Sequence, residues 1–172
     1  MSAPLFSAGE QPGALLQQWR ALMRQGVDAS RGHAPLQAQS LYLRALLVAR
    51  TLLAGPAGEV AEDDRVAAFV VTHLNLAECF VDAGQAGAAA HCLCGAHRAL
   101  MALLRDEAAP PALQLAACRH SRETHAALIR HWSEHGGQAE ILTALREGCM
   151  PFPPHMSPLS PITPTAHSTC LH

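Results

Sequence analysis

At 172 residues with a formal net charge of −2, the chain is long enough for one domain and lacks the clustered positive charge that a nucleic-acid partner demands. Its residues are 49% apolar but only 4% aromatic, so alanine and leucine must supply the core, and that composition favours helices packed at close range. No apolar run of roughly eighteen residues exists to span a bilayer, and the first eleven residues lack the basic and apolar stretches of a secretory signal. These features predict a cytoplasmic protein with no membrane partner. Its six cysteines, irregularly spaced, are then expected to be free thiols.

Residues 1–11 read as a disordered N-terminus, since Pro4, Gly9 and Pro12 oppose an early helix. A first helix is predicted from 13 to about 25, with Leu15, Leu16, Trp19, Leu22 and Met23 on one side. Residues 26–34 read as a loop rich in turn formers, and Pro35 suits the first turn of a second helix reaching about 54. Gly55, Pro56 and Gly58 break that helix, and the acidic run Glu62, Asp63, Asp64 favours the start of a third. The third helix stops at Gly84, and a fourth follows from 85 to about 105. Pro110 and Pro111 precede a fifth helix to about 134, Gly136 and Gly137 end it, and a short sixth runs to about 146. From Cys149 onward six prolines fall among serines and threonines, so residues 149–172 read as an extended, disordered tail.

Within this series two apolar stripes stand out. Leu76, Ala77 and Phe80 form one, and Ala89, Leu93 and Ala96 form a facing one beyond the turn at Gly84. The arrangement of large, small and aromatic residues, a turn glycine, then small, large and small resembles the tetratricopeptide repeat (TPR). Ala38, Tyr42, Ala45 and Leu46 repeat the second half of the pattern, and Trp19 and Leu22 stand where the family favours tryptophan and leucine. The loop between them is longer than the family's turn, and both second helices run past its usual proline. The expected fold is all-α, with antiparallel helix pairs stacked as a short TPR-like array of about six helices over residues 12–148.

The resemblance implies a protein–protein interaction adaptor, or a small chaperone-like protein, that receives a peptide or helix in a concave groove. TPR proteins that grip a C-terminal carboxylate carry an asparagine just before the repeat's leucine, as Asn75 stands before Leu76 here. Arg20, Arg24, Arg119 and Arg122 are the basic residues expected to complete such a clamp, which would favour an acidic peptide or a free C-terminus. No phosphate loop, carboxylate pair or nucleophile motif is present, so an enzyme is not expected.

Eleven histidines support a second hypothesis, a metal-binding or metal-sensing helical protein. The repeat register brings His73 against His97, with His120 and His125 of the fifth helix as further candidate ligands for a transition metal. Cys92 and Cys94 lie about 200° apart on a helix, too far round to chelate one ion, and read as small apolar fillers. His131 and His135 share a face, but Trp132 stands where a zinc protease needs glutamate. Metal content of untagged protein separates this hypothesis from the first.

Overall fold

Proline opens three of the helices, Pro12, Pro35 and Pro111, where its fixed φ fits the first turn and its missing N–H costs nothing. A computed structural model describes residues 11–148. It is all-α, and the helices are α1 (Pro12–Arg31), α2 (Pro35–Ala54), α3 (Glu62–Asp82), α4 (Ala86–Arg105), α5 (Pro111–His135) and α6 (Ala139–Gly148). Neighbouring helices pack against one another, and α3 also packs on α5. Of the disorder expected at residues 1–11 and 149–172, all but Gln11 lies outside the described residues, and the Gln11 carbonyl accepts from Ala14 and Leu15 at the start of α1. Among the described residues no helix is long and apolar enough to cross a membrane.

The largest departure from the sequence reading is at the first turn. Residues 26–31 are helical, not loop, because Gly26 serves as a packing surface. A Cβ at Gly26 would fall 2.5 Å from Cε1 of Tyr42, so the α2 ring rests directly on the α1 backbone. Only Gly32, His33 and Ala34 then join the two helices.

That short turn and the one after α3 share a single hydrogen-bond pattern. Gly32, His33 and Ala34 donate backbone N–H groups to Asp28, Ser30 and Ala29, and Ala83, Gly84 and Gln85 donate to Cys79, Val81 and Phe80. Each is a Schellman-type ending with one left-handed residue, His33 at φ 57° and Gly84 at φ 71°. The same register places Ala38, Tyr42 and Ala45 of α2 in correspondence with Ala89, Leu93 and Ala96 of α4, and the four alanines are fully buried. Small side chains at these positions let the paired backbones approach.

The odd-numbered helices run parallel. Thr72 of α3 meets Trp19 and Met23 of α1, while Asp63 lies near Arg119 and His120 of α5. The carboxyl ends of α1, α3 and α5 therefore gather at one edge of the molecule. One buried cluster joins α1 to α4 and the start of α5, and a second joins the ends of α3 and α5 to α4 and α6. Along α4, α6 is held by Ile141 and Ala144, and Arg98 pairs with Glu140 at 2.9 Å and Glu147 at 3.0 Å.

Candidate functional site

Two cavities, each of about 200 Å³, flank the last two turns of α3 and share Glu78 and Asp82. The first lies between α3 and α5, with a floor of Leu74, Ala77, Leu93 and Ala127 and a rim carrying Glu78, Asp82, Glu134, Arg130 and His131. The second lies between α1 and α3 and is lined by Val27, Ser30, Arg31, Tyr42 and Asn75 in addition to the two shared carboxylates. Helical spacing explains the arrangement. Leu74, Ala77 and Val81 lie on the α3 stripe turned to α5, and Asn75, Cys79 and Asp82 on the stripe turned to α1.

Asn75 is therefore at a cavity, but not in the company expected. Its side-chain amide donates to the Val71 carbonyl at 2.8 Å, and its charged neighbours are Arg31, Glu78 and Asp82. Arg119 sits at the opposite end of α3, with its guanidinium 3.6 Å from Asp63 and largely exposed. Because α3 and α5 are parallel, a residue early in α5 falls beside the first turn of α3, several turns from Asn75. Arg122, Arg20 and Arg24 are exposed and line neither cavity. The single arc of arginines around Asn75 is not assembled. Carboxylates outnumber guanidinium groups around both cavities.

The four candidate metal-ligating histidines do not form one cluster, although His97 and His125 are neighbours. His73 is 3% exposed, stacks against Phe69 with ring centroids 4.2 Å apart, and binds the Phe69 carbonyl through Nδ1 at 2.8 Å. His97, on α4, has its Nδ1 2.8 Å from Thr124 Oγ1 and its ring 5.9 Å from that of His125. In place of the expected side-by-side pair, His73 turns back along its own helix to Phe69, and His97 reaches Thr124 of α5. His120 faces Glu123 and Asp63. Among the described residues, no group of three or more His, Cys, Asp or Glu side chains is placed to hold a metal ion.

The Thr124 hydroxyl donates to the Ser121 carbonyl at 3.0 Å, so its oxygen accepts from His97 Nδ1–H. Nε2 is then an unprotonated, buried nitrogen without a hydrogen-bond partner among the described residues, and a Cβ at Gly148 would fall 2.6 Å from it. Burial, with His125 and Arg105 adding to it, pushes the imidazole down to about 4, although Glu147 opposes the shift. His131 is likewise held below its ordinary value, chiefly by burial and then by His135, whose ring centroid is 4.6 Å away; the Ala86 backbone and Glu134 act in the opposite sense.

Cys79, Cys92, Cys94 and Cys118 are free thiols. Burial pushes Cys92 up to about 12 and Cys94 up to about 11, so neither supplies a thiolate. Cys94 fills space in the second core cluster.

Two features escaped the sequence reading. Arg65 is 4% exposed and donates from Nε to Leu52 O at 2.7 Å and from Nη2 to Leu53 O at 2.8 Å and to Gly55 O, closing the carboxyl end of α2. The signal was present, since Arg65 lies on the buried stripe with Phe69, Thr72 and Leu76. The second is the run of carboxylates at Glu78, Asp82 and Glu134, which only the parallel packing of α3 and α5 brings together.

No curated protein and no solved structure matches the chain. A family model, described as a protein of unknown function (DUF2753), matches residues 17–153. That stretch takes in nearly all of the helical array, and the chain belongs to this family.

Proposed function

We propose that this protein is a TPR-like interaction module whose odd-numbered helices form a groove for a peptide or helix of another protein. The observation that carries the reading is the pair of cavities flanking α3, which share Glu78 and Asp82 and combine apolar floors with polar rims. Parallel helices side by side leave such furrows along their length, and successive furrows suit an elongated ligand. The helix pairs begin at residues 12, 62 and 111, so each unit takes about fifty residues where the tetratricopeptide unit takes 34. The reading therefore rests on stacked pairs and their furrows, not on the family's length.

The test is affinity capture with three folded proteins: the parent chain, Val81→Arg and Leu103→Arg. Val81 lines the cavity between α3 and α5, and Leu103 lines an apolar groove between α2 and α4. A partner retained by the parent and by Leu103→Arg but lost by Val81→Arg supports the reading. Retention of every partner by Val81→Arg removes it.

A further inference from the structure

The sign of the charge around these cavities identifies the kind of partner. Glu78 and Asp82 are exposed at the edges of both cavities and have no ion-pair partner among the described residues. Glu134 adds a third carboxylate from α5. The carboxyl ends of α1, α3 and α5 gather at the same edge, and each contributes the partial negative charge of its last carbonyls. Arg130 and Arg31, one at each cavity, do not balance this charge.

An independent observation points to a missing group. His131 lines the cavity between α3 and α5, is 4% exposed, and has an Nε2 atom with no hydrogen-bond partner among the described residues. Buried polar atoms are nearly always satisfied, so an orphaned nitrogen on a residue of the cavity wall is where an incoming polar group gains. Below the rim the walls are apolar, formed by Leu74, Ala77 and Leu93. Carboxylates above and hydrocarbon below match a side chain with an aliphatic stem and a cationic head.

We infer that the cavity between α3 and α5 receives an arginine or lysine side chain of a partner peptide, its stem on Leu74 and Ala77 and its head among Glu78, Asp82 and Glu134. This assignment rests on the interaction-module reading and reverses the partner charge that the sequence suggested. An acidic peptide would meet like charge at this edge, and like-charge contact opposes binding. A bare metal ion is poorly suited, because no three ligand side chains converge there among the described residues.

The experiment is selection of a displayed random dodecapeptide library on the full chain, followed by affinity measurements with synthetic copies of the enriched peptides. Enriched peptides are expected to carry arginine or lysine beside an apolar residue. Replacing that cation with citrulline or glutamine should weaken binding to the parent protein by on the order of tenfold or more. The double variant Glu78→Gln/Asp82→Asn should show a loss of similar size with unchanged helicity, and added salt should weaken the parent complex. Because the citrulline comparison uses the parent protein alone, misfolding of a variant cannot imitate the result. Peptides without lysine or arginine that are lost on Val81→Arg would overturn the cationic assignment while leaving the module intact. Peptides indifferent to Val81→Arg, or no enriched peptide at all, would overturn both.

Discussion

Arg65 shows how one charged side chain becomes structural. Its guanidinium is buried, yet it is satisfied by the carbonyls of Leu52, Leu53 and Gly55, the orphan acceptors that any helix end leaves. Among the described residues no other side chain caps the end of α2, and the backbone N–H of Gly55 reaches only Leu52 O. Arg65→Met keeps the hydrocarbon stem but removes the donors, leaving the Leu53 and Gly55 carbonyls without partners. The expected loss is about 2–3 kcal/mol in urea unfolding. A loss within a few tenths would mean that water reaches these carbonyls freely. Thr72 is handled by the same accounting. It accepts from Trp19 Nε1 at 2.8 Å and donates to the Ala68 carbonyl at 2.6 Å, so a hydroxyl with no exposure is satisfied in both roles.

Between elements, the α1–α2 and α3–α4 contacts solve one problem with different side chains. In the first pair Gly26 faces Tyr42; in the corresponding place in the second pair, Ala77 and Leu93 share a buried cluster. A smaller residue on one helix accompanies a larger one on the other. Gly26→Ala alone drives a methyl group into the Tyr42 ring, which is 2% exposed and has little room to retreat. It should cost about 1–3 kcal/mol despite the better helix propensity of alanine. Adding Tyr42→Leu recreates the combination of the second pair and should recover much of that loss. The double mutant would then be markedly less unstable than the sum of the two single mutants. Strict additivity, measured by denaturant unfolding, would refute this account of the first turn.

The whole molecule carries a pH dependence built from its buried imidazoles. Burial pushes His73 down to about 4, with Arg50 adding to the shift and the Phe69 carbonyl opposing it, and His97 is pushed down to about 4 as well. An unfolded imidazole titrates near 6.5. Between that value and about 4 the unfolded chain binds more protons than the folded one, so stability falls as pH is lowered through this window. Above about 6.5 both states are neutral and the contribution is complete. Denaturant unfolding across the window should therefore show a steep decline for the parent chain and a shallower one for His73→Gln/His97→Gln. Equal slopes would show that neither imidazole is excluded from water. Protonating His97 would place a proton on Nε2, against Gly148 and with no acceptor among the described residues, so the last turn of α6 is expected to loosen first.

The sequence by itself determined the class of fold and the start of nearly every helix, because prolines, acidic first turns and apolar stripes act within a few residues of where they stand. It also marked Ala38, Ala45, Ala89 and Ala96 as contact positions, since periodicity reports which side of a helix is buried. What Gly26 does was not legible, because a glycine that ends a helix and one that receives a ring look alike until the partner helix is in place. Asn75 lies beside the furrow between α1 and α3, not in a groove shared with α5. Its charged neighbours were not legible: whether Arg119 or Glu134 lies near the end of α3 depends on helix direction and offset. The tertiary structure decided those, and with them the placement of His73 and His97 and the negative edge formed by Glu78, Asp82 and Glu134. Charges distant in sequence act together only when packing sets their separation, and no local pattern encodes that distance.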